Sequence, residues 1–583
     1  MSRLEQSKSS DVVAYNAGSP TSLKSFSDFL KLLSSCVGPG GKIHMLRNKC
    51  GGSVTFTSSS GRILSGMSLS RPELKLVETA VQAHVKQHGD CGLFMAYMCL
   101  HLVYTSNSLH FNRHSLVNLF ELFVKDILDY LNGAGCQLCV KADFSDLKVL
   151  LAYVRSIITS KALLRSADHV SDTLSQLILQ AFVESIPDLP DENKVRFSDG
   201  INVLCFENRH LKESRLEKGL LLEYPEFSAL HGVKEVKLKT VSLGIEGDFV
   251  IQVALFICSL SGDAEEVTDA TFEIYSNAVE KVDKSVVLKI AEMVNRLENL
   301  NVGLVLCQKV IHPNLKGILK AKDIMYVERI GSQMIPYLQD LTGAKQICSV
   351  VLTQDLSDKL GWVRSVDHVV ESSKSYLRLS KPSSPVVTLI MCDLWESRLS
   401  EMKVCIKTVF HGLHSLCKEP KLLPGGGCWQ THCSYFLRGQ VLGKMDHLVK
   451  ERHYSESQVL SALQTFRSSF HHWATSLGGG SLNVVVDPTS FHCWRLDNSK
   501  LAFCCCGMKS SPRECLETFD FIYPFEQPSS VASHTRSTVS VVDNPAHPHL
   551  VLDSFVAATQ ALQKGIFSAN LLLSLGQFVV NKN

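Results

Sequence analysis

The chain has 583 residues, more than one hydrophobic core usually organises, so two to four domains are expected. Its 45% hydrophobic and 20% charged content is that of an ordinary globular protein, and 59 basic against 57 acidic side chains leave a net charge of +2. That balance removes any general electrostatic reason to expect DNA, RNA or an anionic membrane as partner and points to protein or a small molecule.

The amino terminus, MSRLEQSKSS, has no apolar core behind its charges and does not read as a secretory signal. The twenty cysteines are then expected as buried small hydrophobes and free thiols in a reducing compartment. The longest stretches free of Lys, Arg, Asp and Glu (91–112, 468–486 and 565–581) are broken by polar residues or glycines. They fall short of the roughly 20 apolar residues of a bilayer span, so no transmembrane segment and a soluble intracellular protein are expected.

Apolar residues recur at helical spacing from Leu23 to Val37, and GPGG at 38–41 stops that helix. A β-like run, Ser53 to Thr57, follows, and Pro72 opens a second helix through Val85. From Leu93 to Val103 the residues are apolar on all sides, which predicts a helix inside the core. Helices dominate to about Val183. The middle changes character: GLLLEY (219–224), VIQVALFI (250–257), VGLVLC (302–307) and IMYVERI (324–330) read as strands, with NLKGILKAKD and SQMIPYLQDLTGAK as helices around the last. That alternation predicts a local α/β sheet. The acidic GDAEEVTDATFE (262–273) and amphipathic SVVLKIAEMVNRLENL (285–300) form an excursion between strands. VTLIMC (387–392) is a further strand, after which helical text is interrupted by PGGGC (424–428). A last amphipathic helix, around Asp553 to Leu575, must dock on something. If it docks on the amino-terminal helices, both termini close one discontinuous helical domain with the α/β unit inserted. Glycine turns from its two halves would then meet as a phosphate site.

These residues resemble the group II chaperonins, the eukaryotic cytosolic and archaeal branch of that family. VLCQKVIHPNLKGILKAKDIMYVERIGSQMIPYLQDLTGAK (305–345) closely resembles their apical-domain signature, and its CQK segment is the most specific element. SCVGPGGKIHML (35–46) is similar to the first nucleotide loop, RSIITSK (155–161) to an intermediate-domain segment, PKLLPGGGC (420–428) to the late glycine loop and LDSFVAATQAL (552–562) to the closing motif. Within the family, MSRLE, DCGLF (90–94), LVLCQKVIHP (304–313) and LLPGGGC look most like the Bardet-Biedl chaperonin-like branch.

The resemblance implies a multidomain α+β/α fold: a mostly helical equatorial domain (1–140 and 414–583), an intermediate domain (141–211 and 361–413) and an inserted α/β apical domain (212–360) with a protrusion near 258–284. It implies association with other Bardet-Biedl chaperonin-like proteins, cytosolic chaperonin (CCT/TRiC) subunits and subunits of the BBSome, the coat complex that moves membrane proteins to cilia. Residence in the cytoplasm and at the centrosome or ciliary basal body follows from the same likeness.

An ATPase of this type needs backbone donors for phosphate, carboxylates for the metal and a carboxylate to orient water. The family supplies them through a GPKG-like turn, an NDG turn, a GDGTT turn, an intermediate-domain aspartate and a GGGxxE turn. Carried over by position, the first survives as Gly38, Pro39 and Gly41, with Gly40 where lysine is common. The NDG position falls on Ser58, Ser59 and Ser60, so its carboxylate is gone. GDGTT becomes Gly89, Asp90, Cys91, Gly92, Leu93, keeping the aspartate and losing both threonines. Counted back from Pro424 without a gap, the water-activating aspartate falls at Thr408, whose hydroxyl cannot serve as a base near neutral pH; a shifted helix would present Asp393 or Glu396 instead. Gly425, Gly426 and Gly427 remain in the late loop, but Gln430 stands at the glutamate position. The losses predict no catalytic residues, no required cofactor and at most weak ATP/Mg binding through Asp90 and the glycine turns.

Other motifs are weaker. GPGGK lacks the first glycine and the Ser or Thr of a Walker A loop, which reads as a turn. Cys136 and Cys139 form a lone CxxC; with Cys428, His432, Cys433, His492, Cys493 and the CCC at 504–506 a zinc site is conceivable, but no ligand spacing supports it and no metal is expected. No GxSxG elbow points to a hydrolase. The helix at 285–300 is more often core than a client site. The leading expectation is a chaperonin-like assembly factor with a degenerate ATPase site. The alternative is an ATP-dependent folding chaperonin subunit that retains nucleotide binding and hydrolysis, and an adaptor using only its apical surface is a third reading.

Overall fold

The computed structural model describes residues 10–38, 40–47, 54–109, 111–133, 135–164, 168–186, 200–224, 240–242, 249–260, 292–349, 356–382, 384–477, 484–487, 490–496, 502–509 and 550–581. Its contacts separate two compact units: Met1–Leu179 with Trp395–Asn583, and Gln180–Leu394.

The first unit is built around the helix Gly92–Ser106, whose residues from Phe94 to Val103 are buried without a break. A helix apolar on every face has no side for water, so neighbours enclose it: Pro20–Ser35, Pro72–His88, Glu456–Ser476 and Phe555–Ser574. Each fully buried Phe, Leu or Met there contributes about 1.5–3 kcal/mol of transfer free energy. Local signals set the helix ends. Ser19 caps Pro20–Ser35 by accepting from Ser22 N at 3.2 Å, and Ser455 and Gln458 form a reciprocal capping box on Glu456–Ser476. The last helix docks on Gly92–Ser106 and on Arg113–Asn132, so both termini close the same unit. Strands Ser10–Ala14 and Gln577–Asn581 pair antiparallel beside it, and Tyr15 packs against Phe578 with ring centroids 4.8 Å apart.

One boundary differs from expectation. The last helix begins at Phe555, because Leu552–Ser554 is a strand paired antiparallel with Lys421–Pro424 and Ser554 is the helix cap, accepting from Ala557 N at 3.3 Å. Asp553 therefore lies on a strand rather than a helix. A third strand, Val140–Lys141, pairs on the far edge of Lys421–Pro424. Helices Leu147–Thr159 and Glu396–Lys418 pack together so closely that a Cβ on Gly412 would lie 2.0 Å from Tyr153 Oη. The run at 53–57 is the strand Thr55–Thr57, paired with His44–Leu46.

In the second unit, Phe249–Phe256 is flanked in parallel by Val302–Cys307 and Gln346–Ile347, with Met325–Val327 beyond Val302–Cys307. Gly361–Val363 and Val241–Ser242 add antiparallel edges. Val302–Cys307 is buried at every position, as a central parallel strand covered on both faces must be. The CQK segment is the crossover turn after it: Gln308 N donates to Phe256 O at 2.9 Å, and Arg329 N to Lys309 O at 3.0 Å. Glu328 holds the turn by accepting from Ile311 N at 2.8 Å and pairing with Lys316 at 2.9 Å. Helix Pro313–Ala321 follows, and the second expected helix shortens to Ile335–Thr342, ended by Gly343 at φ 79°. Val387–Asp393 is parallel to Ile201–Glu207 and antiparallel to Arg215–Lys218, while Leu220–Glu223, Lys374–Ser380 and Ser365–Glu371 form an antiparallel sheet. Residues 292–299 are helical. The protrusion expected near 258–284 lies outside the described residues beyond Leu260.

Candidate functional site

Within the first unit the glycine turns of both chain halves meet at a cavity of about 260 Å³. The late loop closes one wall, since Gly425 N donates to Val551 O at 2.9 Å and continues the pairing that sets Asp553 opposite Leu423. Gly426 and Gly427 have φ of 65° and 86°; a Cβ on Gly426 would come 2.6 Å from Cys505 O, and one on Gly427 2.8 Å from Ala474 Cβ. Only glycine fits both the left-handed backbone and the contact. Helix Cys428–Gly443 starts directly after, and Gly92–Ser106 starts beside Asp90, so two helix amino termini with their partial positive charge adjoin the cavity.

Gly38, Gly40, Ser58, Ser60, Asp90, Cys91, Leu93, Gly426 and Gln430 line this cavity. Gly41, Gly89, Gly92, Gly425, Gly427 and Ser59 belong to the same segments without lining the cavity, and Pro39 lies outside the described residues. Among the described residues, the cations on the lining are Lys161 and Arg495 and its carboxylates are Asp90 and Asp553. Burial, then the charge of Asp90, push the Asp553 carboxyl up to about 7, against a hydrogen bond from Trp429 Nε1 at 3.1 Å. Two partly buried carboxylates, the charge of one raising the pKa of the other, favour a cation beside them, and the glycine turns with Lys161 and Arg495 suit phosphate oxygens. The lining thus fits a magnesium nucleotide as a ligand.

The residues at the positions expected to serve hydrolysis are otherwise engaged. Thr408 is buried, and its hydroxyl donates to Gly89 O at 3.1 Å, so it ties a helix to the Asp90 turn. The Gln430 carboxamide oxygen, oriented to satisfy its neighbours, accepts from Trp473 Nε1 at 3.3 Å and shares the single Trp429 Nε1–H, at 2.9 Å, with Asp553. A neutral amide held by two indoles is no proton acceptor for water. Of the upstream acids, Asp393 ends a strand of the second unit and Glu396 is the first residue of its helix.

Four further residues, whose side chains are given no role by the sequence alone, stand at or beside the site. Lys161 and Asp553 sit inside RSIITSK and LDSFVAATQAL, segments whose resemblance assigns neither side chain a role. Arg495 reaches the cavity from a remote strand. Glu401, buried at 1% exposure, accepts from Thr57 Oγ1 at 2.8 Å and from Ser58 N and Oγ at 3.1 Å each, with Arg62 Nη1 at 3.6 Å. The serine turn is thus pinned by a carboxylate from the helix Glu396–Lys418. Two turns separate Glu401 from Thr408 on one helix face, the only sequence signal available for it.

The sequence profile of the TCP-1/cpn60 chaperonin family matches residues 29–482. The chain is 29% identical over 598 residues to Molecular chaperone MKKS of Mus musculus and 28% identical over 594 residues to that of Homo sapiens, across 100% of both chains in each case. It is 25% identical over 418 residues to Thermosome subunit alpha of Saccharolobus shibatae, spanning 70% of this chain and 71% of that one.

Proposed function

The chain belongs to the TCP-1/cpn60 chaperonin family, and from that premise we propose that it is a molecular chaperone of the assembly-factor kind, with a nucleotide pocket that has lost hydrolysis. The observation that carries this reading is Thr408: the position expected to activate water holds a neutral hydroxyl already spent on Gly89 O. Gln430, locked by two indoles, supports it. ATP with magnesium is at most a weakly held ligand, seated on Asp90, Asp553 and the glycine turns, and is not a required cofactor.

In this reading the chain has the equatorial, intermediate and apical parts set out above and holds client subunits through the apical part. It works in a hetero-oligomer with other Bardet-Biedl chaperonin-like proteins and cytosolic chaperonin subunits, assembling the BBSome in the cytoplasm and at the centrosome or ciliary basal body. The name of its relatives, Molecular chaperone MKKS, supports the chaperone part of the reading. Among the described residues no helix is long and apolar enough to cross a membrane.

The test is complementation. In cells lacking the protein, Asp90→Ala is expected to restore BBSome assembly to the wild-type level, as measured by the sedimentation of its subunits. A defect as deep as absence of the protein would favour the ATP-driven folding subunit.

A further inference from the structure

Behind the late glycine loop, the antiparallel sheet Val484–Asp487, His492–Leu496 and Ala502–Cys504 gathers an unusual donor set. Cys428, His492, Cys504 and Cys506 are all buried, and their ligand atoms all lie within 4.8 Å of one another. Cys504 Sγ and Cys506 Sγ are 3.4 Å apart, and His492 Nδ1 is 3.4 Å from the first and 3.3 Å from the second. Zinc bonds of about 2.3 Å to sulfur and about 2.0–2.1 Å to nitrogen give tetrahedral edges of about 3.8 Å between sulfurs and about 3.5 Å from sulfur to nitrogen. The atoms of Cys504, Cys506 and His492 therefore already stand close to the size of one tetrahedral face, with Cys428 Sγ within 4.8 Å of each.

The chain builds this cage from remote pieces. Trp494 pairs with Cys504, and His492, two residues before Trp494, shares that sheet face. A turn closed by Gly507 N donating to Cys504 O at 3.0 Å, with Gly507 at φ 75°, brings Cys506 back over the same spot. Cys428 opens the helix that follows the glycine triplet. Its sulfur accepts the Cys493 N–H at 3.4 Å, the kind of outer contact that orients a metal ligand.

We propose that Cys428, His492, Cys504 and Cys506 form a structural zinc site. Three thiolates and one imidazole are a soft donor set that selects zinc among common divalent ions, and four buried protein ligands leave no open position for catalysis. Binding displaces the remaining thiol protons to solvent. The ion braces the cavity wall, because Cys428 follows Gly427 directly and the Cys505 backbone between two ligands packs on Gly426.

The deciding experiment uses the full-length protein. Purified without added metal it should carry about one zinc per chain by elemental mass spectrometry; after chelation, cobalt(II) should give the intense visible bands of a tetrahedral thiolate complex. Cys504→Ser and His492→Ala should each weaken binding roughly tenfold or more, whereas Cys136→Ser with Cys139→Ser should leave it unchanged. The wild-type cobalt spectrum keeps the test independent of whether a ligand variant folds. A spectrum without those bands overturns the site whether or not zinc copurifies, as do bands that survive unchanged in both ligand variants or mapping of a Cys504–Cys506 disulfide.

Discussion

Glu401→Ala is expected to lower folding stability by about 3 kcal/mol, read as a fall in the urea midpoint at constant slope. The carboxylate is 1% exposed and is the acceptor for Thr57 Oγ1, Ser58 N and Ser58 Oγ. Its removal strands a buried backbone N–H and two hydroxyls. The Arg62 side chain, 28% exposed, recovers part of its solvation, which keeps the loss at the lower end for a broken buried ion pair. Glu401→Gln preserves one acceptor and should cost about half as much. Should Glu401→Ala unfold at the wild-type midpoint, the serine turn would not depend on this helix.

Asp553→Asn is expected to stabilise the protein by an amount that grows with pH. The folded-state pKa of Asp553 is raised from 3.8 to about 7, so the folded protein holds this proton where the unfolded chain has released it. The associated stability is fully present below 3.8 and is lost as pH rises through about 7. A carboxyl raised that far loses about 4 kcal/mol over the whole titration, of which about 3 kcal/mol falls between about pH 5 and pH 8. Asparagine keeps an acceptor for Trp429 Nε1 and has no charge to bury. Buried histidines such as His101 and His471, both lowered to about 3 mainly by burial, lose stability in the opposite direction as pH falls below the ordinary histidine value of 6.5. They act equally in both proteins and cancel in the difference between the unfolding curves. A gap that does not change with pH would contradict the burial of a protonated acid here, and Asp90→Ala should narrow the gap by removing the second cause of the raised pKa.

Much of the fold is legible because the relevant signals are local. Val302–Cys307 and Val387–Asp393 are continuous apolar runs, and the helix Gly92–Ser106 has no polar face, so length and periodicity find all three. The glycine turns of the cavity are legible for the same reason: Gly426 and Gly427 need a backbone that other residues resist. Asp553 reads from sequence as the start of a helix because the apolar stripe extends toward it, while its strand exists only by pairing with Lys421–Pro424, far away in sequence. Arg495 and Glu401 reach the site through tertiary packing that leaves no local pattern. The cage of Cys428, His492, Cys504 and Cys506 is hidden among the cysteines because sheet register and a helix start, rather than a short ligand spacing, bring its members together.

The proposed loss of hydrolysis rests on three positions: Ser59 without a carboxylate, Thr408 committed to Gly89 O, and Gln430 held by Trp429 and Trp473. Loss of general-base assistance alone removes about 10²- to 10⁴-fold in rate. A subunit without turnover has no chemical step of its own to time a conformational cycle, so its movements must be driven by partners that bind one state better than another.

Single-turnover ATP hydrolysis by the purified full-length protein, with equilibrium nucleotide binding measured on the same sample, tests this most directly. The expected result is weak or absent binding and no turnover that depends on Asp90; hydrolysis abolished by Asp90→Ala would contradict the account and restore the ATP-driven folding subunit.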